Sequence, residues 1–249
     1  MAIAMRRSRN PGKIDKLSLK KSSLINNLVA YWKLDETTGT RTDIVSGNNL
    51  SESVTNILSG SGKIGVGRSV SLNGSTEYLL SSSNLLEINN ESFTIMCWVF
   101  NKAFSDPAAH GYIGKNNTSN NARSYILRYD TATTNYLLGL SANGIASSLN
   151  LTASNFGSPA IYNWHLLIGW WDKANSIAGI SVNNTVNTAT YSAGIFNNTG
   201  TPFTIGAYAN STFYANALID GCALWKRALS PAERLELWNG GYGIDYPFS

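Results

Sequence analysis

The sequence predicts an all-β protein: a two-sheet antiparallel jelly-roll sandwich with one short C-terminal helix and a basic N-terminal arm. Three observations lead there. From Leu28 onward, short runs rich in β-branched and aromatic residues alternate apolar with polar positions and are separated by turn dipeptides. No strand-helix alternation, sustained heptad or fixed-period repeat interrupts them. Net positive charge, finally, sits at one end. At 249 residues the chain suits one large sandwich plus an arm, which places the boundaries at 1–27 for the arm and 28–249 for the jelly roll. Apolar residues at 43% supply a core, while only 14% are charged; the surface is therefore expected to present hydroxyls and amides.

The arm comes first. Residues 1–27 hold Arg6, Arg7, Arg9, Lys13, Lys16, Lys20 and Lys21 against Asp15 alone, a net charge of +6. The rest carries 12 basic and 14 acidic residues, so the overall +4 belongs to the arm and not to the body. Like-charged tracts seek acidic partners. With no aromatic residue to stack on bases, a protein surface ranks above nucleic acid; a solvated leader without a partner is the alternative. The basic residues are not followed by an apolar run of about 7–15 residues, as a secretion signal would require. No stretch approaches the ~20 apolar residues of a spanning helix, and no membrane insertion is expected.

Gly47-Asn48, Asn73-Gly74, Asn143-Gly144 and Asn183-Asn184 are tight-turn or hairpin signals. Between them, strands are predicted at 125–129, 136–140, 146–151, 165–171, 177–182, 203–206 and 214–225. Alternation puts Phe93, Ile95, Cys97 and Val99 on one apolar face. Cys97 and Cys222 are both expected inside, as small buried hydrophobes, with a bridge between them as the minor alternative. The last strand contains one acid, Asp220, and leads to a helix whose start is strongly marked. Ser230 suits the N-cap, Pro231 the first helical position, and Glu233 completes a capping box. Leu235 and Trp238 are expected to share the buried face, and Gly240 or Gly241 the left-handed stop. The helix is expected to close one end of the sandwich.

Those residues also resemble a known family. Leu218–Gly241, together with LVAYWKLDE (Leu28–Glu36), VSLNGSTEY (Val70–Tyr78), FTIMCWV (Phe93–Val99) and WHLLIGWWD (Trp164–Asp172), is similar to the laminin G-like, concanavalin A-like jelly rolls. The five blocks occur in the family's order. The resemblance implies the sandwich fold, and it implies a structural Ca²⁺ site where first and last strands meet. Carried over residue by residue, Asp35 and Asp220 are its acids, with a carbonyl near Gly47. Hard oxygen donors of this kind suit Ca²⁺. Gly221 stands where the family often has a further acid, and the alternative is that Asp35 and Asp220 accept hydrogen bonds from loop amides without metal.

Catalytic signals are sparse. His165 is expected to be structural. His110 falls in a predicted loop without a histidine or cysteine at ligand spacing, and neither a nucleophile elbow nor a phosphate loop occurs. Some sugar hydrolases and lyases share the fold, but hydrolysis needs two carboxylates about 5–10 Å apart. No such cluster is visible; Asp130 and Asp172 sit at turns. Carbohydrate binding is the family's frequent use. Trp170, Trp171, Tyr112, Tyr208 and Tyr214 are therefore the aromatic candidates for sugar contact, with core or rim packing as the competing role; none is assigned.

The resulting expectation is a non-enzymatic virion structural protein, a capsid decoration or tail-associated domain, since similar domains occur in tailed bacteriophages. Its partners would be other virion proteins, bound through the arm, and host-surface polysaccharide, in multiple copies or as a homo-oligomer. The alternatives are a polysaccharide-binding module of a cell-surface or secreted protein, and a glycoside hydrolase or lyase.

Overall fold

The computed structural model describes residues 22–65, 67–104, 109–209 and 211–248. The arm cations Arg6, Arg7, Arg9, Lys13, Lys16, Lys20 and Lys21 lie outside the described residues. Among those described, fifteen strands form two antiparallel sheets. The first sheet has the order β13 (Thr185–Thr190), β12 (Ile177–Val182), β11 (Trp164–Asp172), β6 (Phe93–Ala103), β15 (Asn216–Trp225), β4 (Arg68–Ser71), β3 (Ser59–Ser61). β1 (Leu28–Trp32) pairs with the C-terminal half of β15. The second sheet runs β10 (Leu149–Thr152), β9 (Asn135–Leu140), β8 (Ala122–Asp130), β7 (Ala109–Asn117), β14 (Phe203–Ile205), β5 (Leu79–Ser81), β2 (Ser51–Glu52).

Period-two alternation sorts the long strands onto two faces. Phe93, Ile95, Cys97 and Val99 of β6 enter the core between the sheets, with Trp171 beside them and Tyr125, Leu127, Tyr136 and Leu138 opposite. Met96 and Trp98 point the other way, into a second cluster with Ile168, Trp170, Trp225, Leu237 and Phe248. An outer sheet face this apolar must be covered. Helix α1 (Pro231–Trp238), the chain end near Phe248 and Leu24 of the N-terminal segment cover it. Each aromatic ring removes roughly 150–250 Å² from water, worth about 4–6 kcal/mol at ~25 cal/mol/Å².

Several sequence expectations change here. The helix lies on the outer face of the first sheet and does not close an end of the sandwich. Its capping box forms as expected, with Ser230 Oγ accepting from Glu233 N and Glu233 accepting from Ser230 N. Its buried face forms only in part: Trp238 stacks on Trp98 as part of the outer cluster, but Leu235 is 52% exposed, while Leu237 and Arg234 are buried. Trp170 on the sheet decides this, because the Arg234 guanidinium stacks 3.8 Å over its ring, and that rotation turns Leu235 outward. Gly240 (φ 60°) and Gly241 (φ 94°) take the left-handed stop as expected, and the C-cap Asn239 (φ 46°) is left-handed as well. His110 belongs to β7 and is buried, not in a loop. Residues 22–27, assigned to the arm by charge, pack against the body: Leu24 is fully buried and its carbonyl accepts from Trp225 Nε1 at 2.6 Å. Asn183 and Asn184, both at positive φ, make the β12–β13 hairpin as predicted.

In β15 a bulge sets two residues, Gly221 and Cys222, against Cys97 of β6. Gly221 takes φ 50° there, and a Cβ would come within 2.4 Å of Ile64 Cδ1, so glycine is the residue accommodated without strain or a shift of Ile64. Both cysteines are buried and free.

Candidate functional site

Asp35 and Asp220, far apart in sequence, converge on one small cavity together with Tyr31, Lys33, Ile64 and Asp245. β15 supplies Asp220, and the segment following β1 supplies Lys33 and Asp35. The carboxylates hold the loop between β3 and β4: Asp220 Oδ2 accepts from Lys63 N (2.6 Å) and Ile64 N (3.0 Å), and Asp35 Oδ1 accepts from Arg68 N (2.5 Å). Lys33 is paired with Asp245. Burial, opposed by the Ile64 and Lys63 amides and reinforced by the charge of Asp35, pushes the Asp220 carboxyl up to about 7. The Tyr31 phenol is likewise driven up by burial and by the neighbouring Asp245 and Asp220 charges.

Gly47 does not line this cavity. It sits at φ 75° in the turn held by Asp43, which accepts from Tyr31 N, Val45 N, Ser46 N, Asn48 N and Asn48 Nδ2 at 2.9–3.2 Å. Sequence reasoning missed Asp43; the signal was an acid just ahead of a Gly-Asn turn, whose free amides need an acceptor.

Ca²⁺ takes 6–8 oxygens at about 2.3–2.6 Å. The oxygens are chemically suitable, but three amides and an ammonium already engage them. The cavity of about 10 Å³ is near the size that admits one water. Among the described residues no group of three or more Asp, Glu, His or Cys is placed to hold a metal ion. These residues do not fit Ca²⁺ without rearranging. Thermal unfolding with excess CaCl₂ and with EGTA is therefore expected to give the same midpoint. A site a hundredfold above its Kd would add about 2.7 kcal/mol, and a gain of that order would restore the metal.

The aromatic candidates are mostly interior. Tyr112 and Trp171 are core, Trp170 lies under Arg234, and Tyr208 is buried against Phe213. Tyr214 is half-buried beside Tyr78. His165 is buried, lies 2.9 Å through Nδ1 from the Tyr136 hydroxyl, and is pulled down by burial to about 4. It is neutral at physiological pH and structural, as expected.

Of the larger cavities that open at the surface among the described residues, two bear on ligand binding. One, of about 510 Å³, lies beside α1 and includes Asp172, Thr188, Arg227 and Glu233. Glu233 is held down to about 2: burial alone would raise it, but the Arg227 fork, Ser23 Oγ and the Ser230 amide outweigh that. Asp172 is spent on Asn175, accepting from its backbone and side-chain amides. The other cavity, of about 310 Å³, lies between the β7–β8 turn and the loop entering β14, and is lined by asparagines, threonines and Phe196.

The sequence profile of the concanavalin A-like lectin/glucanases superfamily matches residues 73–233. No curated protein sequence is close enough to count as a relative. Among solved structures, domain 4 of an extracellular arabinanase from Geobacillus stearothermophilus, in complex with arabinotriose, is similar at TM-score 0.58 and 16% identity, over 83% of this chain and 96% of that one. The binding domain of botulinum neurotoxin DC, in complex with rat synaptotagmin II, is similar at TM-score 0.61 and 15% identity, over 88% of this chain and 52% of that one. The botulinum neurotoxin type G receptor-binding domain gives TM-score 0.61 at 14% identity, over 86% and 51%. The chain thus spans about half the length of the toxin domains, and at these identities the likeness is one of fold.

Proposed function

The chain belongs to the concanavalin A-like lectin/glucanases superfamily, and from that premise we propose that it is a non-catalytic, carbohydrate-binding jelly roll, docked through its basic arm on a virus particle. One observation carries the choice of binding over hydrolysis. A general acid needs a carboxyl protonated near the working pH. The carboxyl raised in that way, Asp220 at about 7, is shut in a cavity of about 10 Å³, too small for any sugar. In the open cavity that holds two acids, Glu233 sits at about 2, ionised and tied to Arg227. The superfamily contains both lectins and glucanases, and this separation of proton donor from accessible space favours the lectin side. The arabinanase neighbour, solved with arabinotriose, is a precedent for a sugar on this architecture.

The virion half of the reading rests on charge. A +6 arm on a body of opposite sign suits attachment to an acidic protein surface, and domains of this kind occur in tailed phages. An extracellular or cell-surface setting is the second reading, and it needs no arm-dependent partner. Among the described residues no helix is long and apolar enough to cross a membrane. The test is co-sedimentation of full-length protein and a form lacking residues 1–21 with purified capsids or tails, at low and high salt. The cut is made before Ser22 because residues 22–27 pack into the body. Salt-sensitive binding that disappears with the arm is expected; failure of both forms to bind would overturn the particle reading.

A further inference from the structure

Resting on the sugar-binding reading above, we propose that the ligand is an uncharged saccharide and that one of its rings seats in the rim cavity formed by Asn120, Asn121, Phe196, Asn197 and Thr199. Two segments some 75 residues apart build this cavity, and hydrogen bonds fix both. Ser124 Oγ donates to the Phe196 carbonyl at 2.8 Å, Phe196 N donates to the Ser141 carbonyl at 2.7 Å, and Asn198 Nδ2 donates to the Ala122 carbonyl. Asn117 Oδ1 accepts from Ser119 N and Asn120 N, shaping the β7–β8 turn. Gly144 packs beneath: a Cβ there would lie 2.3 Å from the Asn121 carbonyl and 2.9 Å from the Phe196 ring. The walls are held before any ligand arrives, which lowers the ordering cost of binding.

The chemistry of the lining selects the ligand. Asn117 and Asn198 spend their amides on the fold, whereas the exposed side chains of Asn120, Asn121, Asn197 and Thr199 have no hydrogen bond among the described residues. They offer paired donors and acceptors of the kind vicinal hydroxyls need. Half-buried Phe196 adds an apolar wall for the C–H face of a sugar ring. At about 310 Å³ the cavity is at the small end of ligand sites, ~300–1,000 Å³, suited to one ring with the rest of the chain leaving through the mouth. No ionisable side chain lines it. Lys115 is paired with Glu87 at 2.9 Å, and Arg123 donates to the Ile145 carbonyl. A sialic or uronic acid would bring a carboxylate against a lining that contains no cation, and desolvating it unpaired is costly.

Calorimetric titration of the full chain with neutral trisaccharides (maltotriose, cellotriose, triacetylchitotriose, arabinotriose) and with sialyllactose and trigalacturonate tests this. Binding of at least one neutral probe is expected, with acidic probes weaker. Phe196→Ala and Asn197→Ala should each weaken it about tenfold, the loss of a stacking or hydrogen-bonding contact. Asn197 is exposed, so its variant stays informative if Phe196→Ala unfolds. Tyr162→Ala, at an exposed ring on the outer face of the first sheet, should change nothing. Neutral-sugar binding unaffected by Phe196→Ala and Asn197→Ala overturns the site while leaving the lectin reading intact. Preference for an acidic probe overturns the ligand class. Binding of no probe overturns both.

Discussion

Raising the pH from about 5.5 to about 8 is expected to cost the folded protein about 2 kcal/mol through Asp220 alone, and Asp220→Asn should abolish that loss. The carboxyl titrates at about 7 in the fold against 3.8 in the free side chain. Its folded-state value is the higher one, so the folded protein binds the extra proton. The stability this gives is complete below about pH 4, falls as pH rises through about 7, and is level above it. At 1.36 kcal/mol per pH unit, the stretch from about 5.5 to 7 accounts for the figure. In a domain of this length it corresponds to roughly 4–8 °C in melting temperature. Asparagine keeps an oxygen for the Lys63 and Ile64 amides and turns an NH₂ toward Asp35, removing a like-charge contact. The variant should therefore equal or exceed the parent at pH 8. Melting curves at the two pH values decide it, and a variant that loses stability equally at both would mean that Asp220 is fully ionised and wanted so, as a metal ligand is.

Glu233→Ala should cost about 3 kcal/mol at neutral pH, the combined loss of a helix cap and charge-assisted hydrogen bonds. This one carboxylate joins three parts of the chain. It accepts from Ser230 N at the head of α1, from the two terminal Arg227 nitrogens at 2.8 Å just after β15, and from Ser23 Oγ at 2.6 Å in the N-terminal segment. Arg227 in turn donates to the Ser23 and Asn26 carbonyls. Removal leaves Arg227 without its anion and frees the segment that buries Leu24. The group's pKa is depressed, so its contribution is full above about pH 4.5 and lost as pH falls toward 2. Denaturant titrations at about pH 7 and pH 3 should accordingly show a smaller difference between parent and variant in acid. Glu233→Gln, which keeps two acceptor bonds and loses the charge, should fall between. A cost below about 1 kcal/mol for the alanine variant would reduce the cluster to an ordinary surface ion pair.

Legibility in the sequence followed the range of the interaction. Ser230-Pro231-x-Glu233 specified the helix start because a cap is satisfied within three residues, and Asn183-Asn184 specified a hairpin because two adjacent left-handed residues suffice to turn the chain. Cys97 was placed inside by the alternation of β6. The rotation of α1 was not legible: whether Leu235 or Leu237 is buried depends on Trp170, some 65 residues earlier and on another element. His110 looked like a loop residue because the alanines and glycine around it carry little strand signal, yet pairing with β8 and β14 makes the segment a central strand.

Asp35 and Asp220 could be paired in advance only through the family resemblance. Their commitment to the amides of residues 63, 64 and 68, and the exclusion of Gly47 from their cavity, follow from how the β3–β4 loop folds back. The rim cavity was invisible for the same reason. Its asparagines read as turn residues one at a time, and only the register of β7, β8 and β14 sets the turn near residue 120 against the loop near 197. The sequence by itself determined most of the long strands, the tight turns, the cap and the segregated charge, all of which local sterics and hydrogen bonding decide. Tertiary structure alone decided which polar groups are consumed by the fold and which remain open to a ligand, because that division depends on contacts between segments tens of residues apart.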